Sequence, residues 1–237
     1  AEQAQAHAIH AYALIQPTRG YELRAAWIHT AFGVADWGWD RTIRLLADNR
    51  FNAIFPNMVW AGVAYYPSDL LPVAPEVAAK GDQIAEALAA CRKYGVELHV
   101  WKVNHNLLNA PPDFVARLRA EGRLQQSAEG EEVLWLCPSN PANFALERDS
   151  MLEVVRKYPV DGIHFDYIRY PDSDACYCPG CRERFQQDTG LTVTTWPADV
   201  RGGLLTIPFA DWRREQITRL VRAVSVEAHR LRPNIKV

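Results

Sequence analysis

Short apolar runs alternate with longer amphipathic segments along almost the whole chain, and this alternation restricts the fold more than any other feature of the sequence. Apolar runs of roughly 4–8 residues separated by helical patterns of roughly 10–15 residues mark strand–helix–strand units, and hence a parallel sheet. The pattern predicts a first strand over Glu22–Thr30, then a helix over Trp39–Arg50 capped by Asp36. Phe51–Trp60 reads as the second strand, followed by a long loop rich in aromatics and prolines. A helix over Asp82–Tyr94 should close on Gly95, where a left-handed C-terminal residue is expected. Val96–Asn104 reads as the third strand, Pro111–Glu121 as a short helix, and Glu131–Leu136 as a small strand on a hairpin. Ser139 is placed to cap a helix running through Tyr158, and Gly162–Ile168 reads as the fourth main strand. A loop of roughly thirty residues, a helix over Phe209–Leu231 and the opening of a fifth strand at Asn234–Val237 complete the pattern.

The expected fold class is therefore α/β, a (β/α)8 barrel of the TIM type, with this chain supplying about the first four to five β/α units. Residues 1–21 read as an N-terminal extension and 22–237 as the barrel domain. A closed barrel needs eight strands, and a part-barrel leaves a sheet edge and a core face open. The expectation is that the missing C-terminal half of the barrel, or a partner, covers that side. Composition matters mainly for what it excludes. A formal net charge of −2 with 23 % charged residues offers no basic stripe for nucleic acid and no polybasic segment for an anionic membrane. No stretch approaches the roughly 18 apolar residues of a membrane span. The Ala/Gln-rich start, AEQAQAHAIHAYALIQPTRG, suits equally the segment left after a removed export signal and an arbitrary cut in a longer chain.

In a barrel of this kind the chemistry sits at the C-terminal ends of the strands. Side chains alternate along a strand, so Ile163 and Phe165 should face the helices while Gly162, His164 and Asp166 face inward. A carboxylate there is costly to bury without a partner or a purpose, which makes Asp166 the leading catalytic candidate, with Arg169 as its expected partner. The structural alternative is an Asp–Arg or Asp–His tie across the rim. Asp161, at the other end of the strand, reads as structural. The same parity turns His99 and Trp101 inward on the third strand, with Asn104 and His105 at the rim. Asn57 and Trp60 close the second strand, and Tyr65 and Tyr66 follow in the loop. Polar groups beside aromatic faces suit a sugar, whose ring offers hydroxyls at its edge and C–H groups on its faces. The substrate-binding candidates are thus His164, Arg169, Asn57, Trp101, Asn104, His99, Trp60 and Tyr170.

Five cysteines include the tight group Cys176, Cys178 and Cys181, while Cys91 and Cys137 stand apart. The group has metal-ligand character, and Cys137 or a histidine would complete a structural zinc site; a disulfide is the competing reading. Catalysis on the carboxylate reading requires no cofactor. A third reading, a metal-dependent hydrolase, would use His164, Asp166 and His105. Gly-rich phosphate loops, a serine nucleophile elbow and HExxH are all absent from the sequence.

The segments ELRAAWIHT, FNAIFPNMVW with AYYPSDLLP, VELHVWKVN, WLCPSNPAN and KYPVDGIHFDYIRYP, in that order, resemble the glycosyl-hydrolase-like 10 family of bacteria. FADWRREQITRLVRAV also fits, and the resemblance runs from about Glu22 to Val237. It implies a (β/α)8 barrel related to retaining glycosidases, exported to the periplasm or outside the cell, and acting on bacterial polysaccharide including peptidoglycan glycan strands. It also implies that Asp166 matches the family's acidic residue at the end of the fourth strand, the position of the nucleophile in amylase-like barrels. Many relatives carry a second acid directly afterwards, where this chain has Tyr167. Asp172 and Asp174 are then the nearest loop candidates for the partner acid, and the family's barrel continues beyond the point matching Val237.

Overall fold

The computed structural model describes residues 2–16 and 22–237. Helix α1 (Glu2–Ile15) lies in the N-terminal extension, and the expected boundary of that extension at residue 21 falls outside the described residues. Strand β1 (Ala25–Ile28) leads to α2 (Gly38–Asp48), β2 (Ala53–Trp60), the two-residue strand β3 (Val63–Ala64) and the short helix α3 (Glu76–Lys80). Then come α4 (Gln83–Tyr94), β4 (Glu97–Val103), α5 (Pro112–Ala120) and a hairpin of β5 (Leu124–Gln126) and β6 (Glu132–Leu136). Helix α6 (Pro141–Lys157), β7 (Gly162–Asp166), α7 (Pro179–Thr189), α8 (Ala198–Arg201) and α9 (Thr206–Leu231) complete the order.

The main sheet runs β1-β2-β4-β7, every one of those neighbours parallel, with β3 antiparallel to β2. Beyond β7 the chain begins one more parallel partner, because Lys236 N–H donates to Asp161 O and Lys236 O accepts from Ile163 N–H, each at 2.9 Å. This is the expected opening of a fifth strand. The sheet is open among the described residues. Ile54, Met58, Leu98, Val100 and Ile163 point from one face into a core shared with Ile43 of α2, Ile84 and Leu88 of α4, Met151 and Val155 of α6, and Leu220 and Val224 of α9. Burying such a stripe on each helix is what fixes the helices to that face.

Local chemistry explains most boundaries. Asp82 accepts from the N–H groups of Ile84 and Ala85, opening α4, and also from the Tyr158 hydroxyl at 2.6 Å. Gly95 closes α4 in the left-handed conformation, as expected (φ 70°). Two caps differ from expectation. Asp36 does not cap α2: it takes a positive φ of 63° and Trp37 precedes the helix without a side-chain cap, while Thr42 Oγ1 accepts from Val34 N–H. Asn140, not Ser139, caps α6, since Asn140 Oδ1 accepts from Ala142 N–H and Pro141 takes the first helical position. Strand β7 stops at Asp166 rather than Ile168, because Tyr167 turns to φ 49° and ends the extended run. The expected thirty-residue loop carries α7 and α8, which with α9 enclose a second core of Phe185, Val193, Val200, Phe209 and Trp212 around the cysteines.

Candidate active site at the end of the fourth main strand

The face of the sheet opposite the helices carries one aromatic and imidazole layer. Trp27 and His29 come from the β1 segment, Phe55 from β2, His99 and Trp101 from β4, and His164 from β7. Their rings interlock: Phe55 lies 5.2 Å from His164, His29 sits edge-on to Trp101 at 5.0 Å, and Trp101 is edge-on to His164 at 6.4 Å. The register sets Trp101 opposite both Asn57 and His164, and Val103 opposite Asp166. Asp166 thus ends its strand on this layer. Its Oδ2 accepts from the Trp101 indole N–H at 3.0 Å and its Oδ1 from the Tyr167 backbone N–H at 2.7 Å.

Two features distinguish this strand end from an ordinary rim. A non-glycine residue in the left-handed region directly after a carboxylate is backbone strain of the kind that clusters at functional sites. His164 is half-buried, and desolvation holds it below the ordinary histidine value, against the pull of the nearby Asp166 charge; His99 adds to the lowering. At neutral pH His164 therefore presents a neutral imidazole to the site. Above Asp166, Trp135 of β6 meets Tyr167 edge-on at 5.5 Å, and the Arg169 guanidinium lies over both rings at 5.6 and 4.8 Å.

Of the residues expected at the site, Asp166, His164, Trp101 and Asn57 come together on one face, and Asn57 Oδ1 is buried without a hydrogen-bond partner. Trp60 stands at the upper end of β2, half-buried. The others are corrections. Arg169 does not pair with Asp166; it donates to the carbonyls of Tyr170 and Pro171. Tyr170 turns toward the second core, under the Arg213 guanidinium at 4.0 Å. Asn104 faces the helices, donating to Glu147 of α6 at 2.6 Å. His105 is buried beside that same Glu147, with both ring nitrogens unpartnered, so no triad with His164 and Asp166 forms. His99 is on the right face but at the lower end of β4, bonded to Glu97 at 3.0 Å and stacked on Phe55 at 4.6 Å. That end lies four residues, about 13 Å, below the Asp166 level. Tyr66 packs in the core with its hydroxyl on Glu153, and Tyr65 meets Phe32 edge-on. Asp174 pairs with Arg201 and Asp172 accepts from Asp174 N–H, while the bonds to the Asp166 carboxylate come from Trp101 and Tyr167. Trp27, His29, Phe55 and Trp135 were not anticipated, although the alternation in AAWIH already sets Trp27 and His29 on one face.

Gly162 shows how tightly the lower layer is fitted. A Cβ there would stand 2.1 Å from His99 Nδ1, and His99 cannot retreat from its contacts with Phe55 and Glu97. Gly162→Ala is expected to cost about 1–3 kcal/mol in denaturant unfolding. In a His99→Ala background that cost should vanish; an equal cost in both backgrounds would refute the clash.

The glycosyl hydrolase-like 10 family model matches residues 22–237. Glycosyl hydrolase DigH of Escherichia coli (strain K12) is 24 % identical over 207 residues, covering 78 % of this chain and 43 % of its own length, so the chain spans less than half of that relative. A hypothetical protein from Ruminiclostridium thermocellum superposes with a TM-score of 0.50 at 20 % identity, covering 81 % of this chain and 92 % of its own. The β-galactosidase of the psychrophilic Marinomonas ef1 superposes at 0.64 with 11 % identity, over 89 % of this chain and 36 % of its own. With the family model spanning the whole sheet and the helices packed on it, the chain belongs to the glycosyl hydrolase-like 10 family.

Proposed function

We propose that the sheet is an arc of a (β/α)8 barrel, that its helix-free face is the barrel interior, and that Asp166 is one of two carboxylates that hydrolyse a glycosidic bond in a bacterial polysaccharide. Peptidoglycan glycan strands are the leading substrate, and the periplasm or cell exterior the site of action. One observation carries the reading: Asp166 ends β7 with its carboxylate fixed by the Trp101 indole, on a face of aromatic rings and a neutral imidazole. Aromatic faces suit sugar C–H groups, and an ionised carboxylate suits an oxocarbenium-like transition state.

Asp166 would act as nucleophile or charge-stabilising base, with Trp101 and the Tyr167 N–H fixing its two oxygens. Exposed Trp27 and half-buried His164 would line the sugar subsite. The second acid would be a carboxylate facing Asp166 across the bound sugar; of the loop acids, Asp174 is already paired with Arg201. A separation near 5 Å from Asp166 would give retention, and one of roughly 6.5–9.5 Å inversion.

The test is release of reducing ends from peptidoglycan glycan strands and a panel of bacterial polysaccharides by the purified protein, with binding measured in parallel. Cleavage supports the glycosidase. Binding without any cleavage would replace it with a catalytically inert carbohydrate-binding barrel.

A further inference from the structure

Four cysteines from two distant segments meet at one point. Cys137 follows β6, Cys176 and Cys178 lie in the loop leaving β7, and Cys181 sits in the first turn of α7. Their four sulfur atoms all lie within 4.8 Å of one another, with Cys137 Sγ 3.5 Å from Cys181 Sγ and 3.9 Å from Cys178 Sγ. All four are buried, and none is in a disulfide. The fifth, Cys91, is buried separately in the main core.

The separations discriminate among ligands. A disulfide needs sulfurs about 2.05 Å apart. Four thiolates at about 2.3 Å around one tetrahedral ion stand about 3.8 Å from each other, close to the 3.5 and 3.9 Å from Cys137 Sγ and within the 4.8 Å that bounds all four. An iron–sulfur cluster interposes several irons and sulfides and spreads its thiolates wider than a single ion does. The surroundings also fit a closed structural site. Ser139 Oγ lies 3.3 Å from Cys137 Sγ and 3.4 Å from Cys181 Sγ, and this engagement explains why Ser139 leaves the α6 cap to Asn140. Arg184 donates to Ser139 Oγ at 3.1 Å and lies 3.7 Å from Cys137 Sγ, supplying positive charge beside a centre whose four thiolates and dication sum to −2. Tyr177, Phe185, Val193 and Phe209 enclose the group.

We infer that Cys137, Cys176, Cys178 and Cys181 bind one zinc ion tetrahedrally, and that the ion clasps the β5–β6 hairpin to the segment leaving Asp166. Trp135 on the hairpin and Tyr167 and Arg169 on that segment meet across the joint, so the ion fixes the rim beside Asp166. The site stands on its ligand geometry and is independent of whether Asp166 catalyses.

Metal content decides it without an activity assay. Protein purified without added metal, then exposed to zinc under reductant and desalted, should hold about one zinc per chain by elemental mass spectrometry. Titration with an organomercurial in the presence of a zinc-sensitive dye should release the ion as about four thiols react. Cobalt(II) in its place should give the thiolate charge-transfer and tetrahedral ligand-field bands of a sulfur-rich site. Cys137→Ser should lower zinc retention by more than about tenfold, while Cys91→Ser keeps it. If Cys137→Ser does not fold, the mercurial titration of the natural protein carries the decision. The inference is overturned by protein that retains no zinc, by iron bound in its place, by disulfides among these four cysteines, or by zinc retained unchanged in folded Cys137→Ser.

Discussion

Asp166→Asn is expected to lower turnover of any glycan the protein cleaves by about 10³-fold, equivalent to about 4 kcal/mol of transition-state stabilisation. The substitution removes the charge that would stabilise or attack the sugar carbon and leaves the shape of the side chain. It also breaks one bond: an amide offers a single acceptor oxygen to two donors, the Trp101 indole N–H and the Tyr167 N–H. Because Asp166 is only half-buried, water can serve the abandoned donor, so the stability cost should stay near 1 kcal/mol. Trp101→Phe, which removes one donor and spares the carboxylate, should cost roughly tenfold in turnover, the worth of one hydrogen bond to a charged group. Asp172→Asn should leave turnover unchanged. Cleavage by folded Asp166→Asn at more than about a third of the natural rate would sink the assignment.

The pH behaviour follows from the imidazoles. Burial holds both His164 and His105 below the ordinary histidine value. The unfolded chain, with histidines near 6.5, therefore takes up protons before the folded one does. Their contribution to stability is full above about pH 6.5 and is lost as pH falls through that value toward the lower folded ones.

What the sequence disclosed follows the reach of strand periodicity. Inside GIHFD the period of two set Ile163 toward the helices and His164 and Asp166 away from them, and the same rule oriented His99 and Trp101. Past a strand end the rule stops carrying information. Tyr167 and His105 both turn to positive φ, and the expected ligands that the structure engages elsewhere, Arg169, Tyr170 and Asn104, lie beside or beyond those turns. Proximity in sequence suggested Arg169 as the partner of Asp166, whereas the partner is an indole on the neighbouring strand, 65 residues away. Only register could have supplied that pairing. Cys137 is a partial case: composition named it beside a histidine as a candidate to complete the cysteine group, but its spacing from Cys181 says nothing of distance, and only the folded hairpin brings the two together. The missing second carboxylate has a simpler origin, since no described strand other than β7 ends in an acid on this face.

Lys102→Met is expected to destabilise the protein by about 3–5 kcal/mol, because it strands a charge on the wrong side of the sheet. Lys102 points from β4 into the helical layer, 3.3 Å from Glu147 of α6, and donates to Ser150 Oγ. Glu147 is 0 % exposed, and its Oε1 has no partner. Desolvation pushes the Glu147 carboxyl up, but the Lys102 and His105 charges and the bonds from Asn104 and Lys102 outweigh it and hold it below the ordinary value. Without Lys102 that carboxylate keeps only the Asn104 hydrogen bond and the neighbouring His105. Lys102→Met with Glu147→Gln removes both charges while leaving an acceptor for Asn104, and should recover at least about 2 kcal/mol of the loss. A single variant costing under about 1 kcal/mol, or a double variant no better than the single, would show that the pair is not a coupled buried charge. The cluster also backs the candidate site, since Asn104 N–H donates to the Asp166 carbonyl at 2.8 Å and Lys102 lies opposite Phe165 in the ladder. A double variant that regains stability yet loses turnover would mean that the buried charges hold the end of β7 in place for Asp166, a role that hydrophobic substitutes of equal stability do not fill.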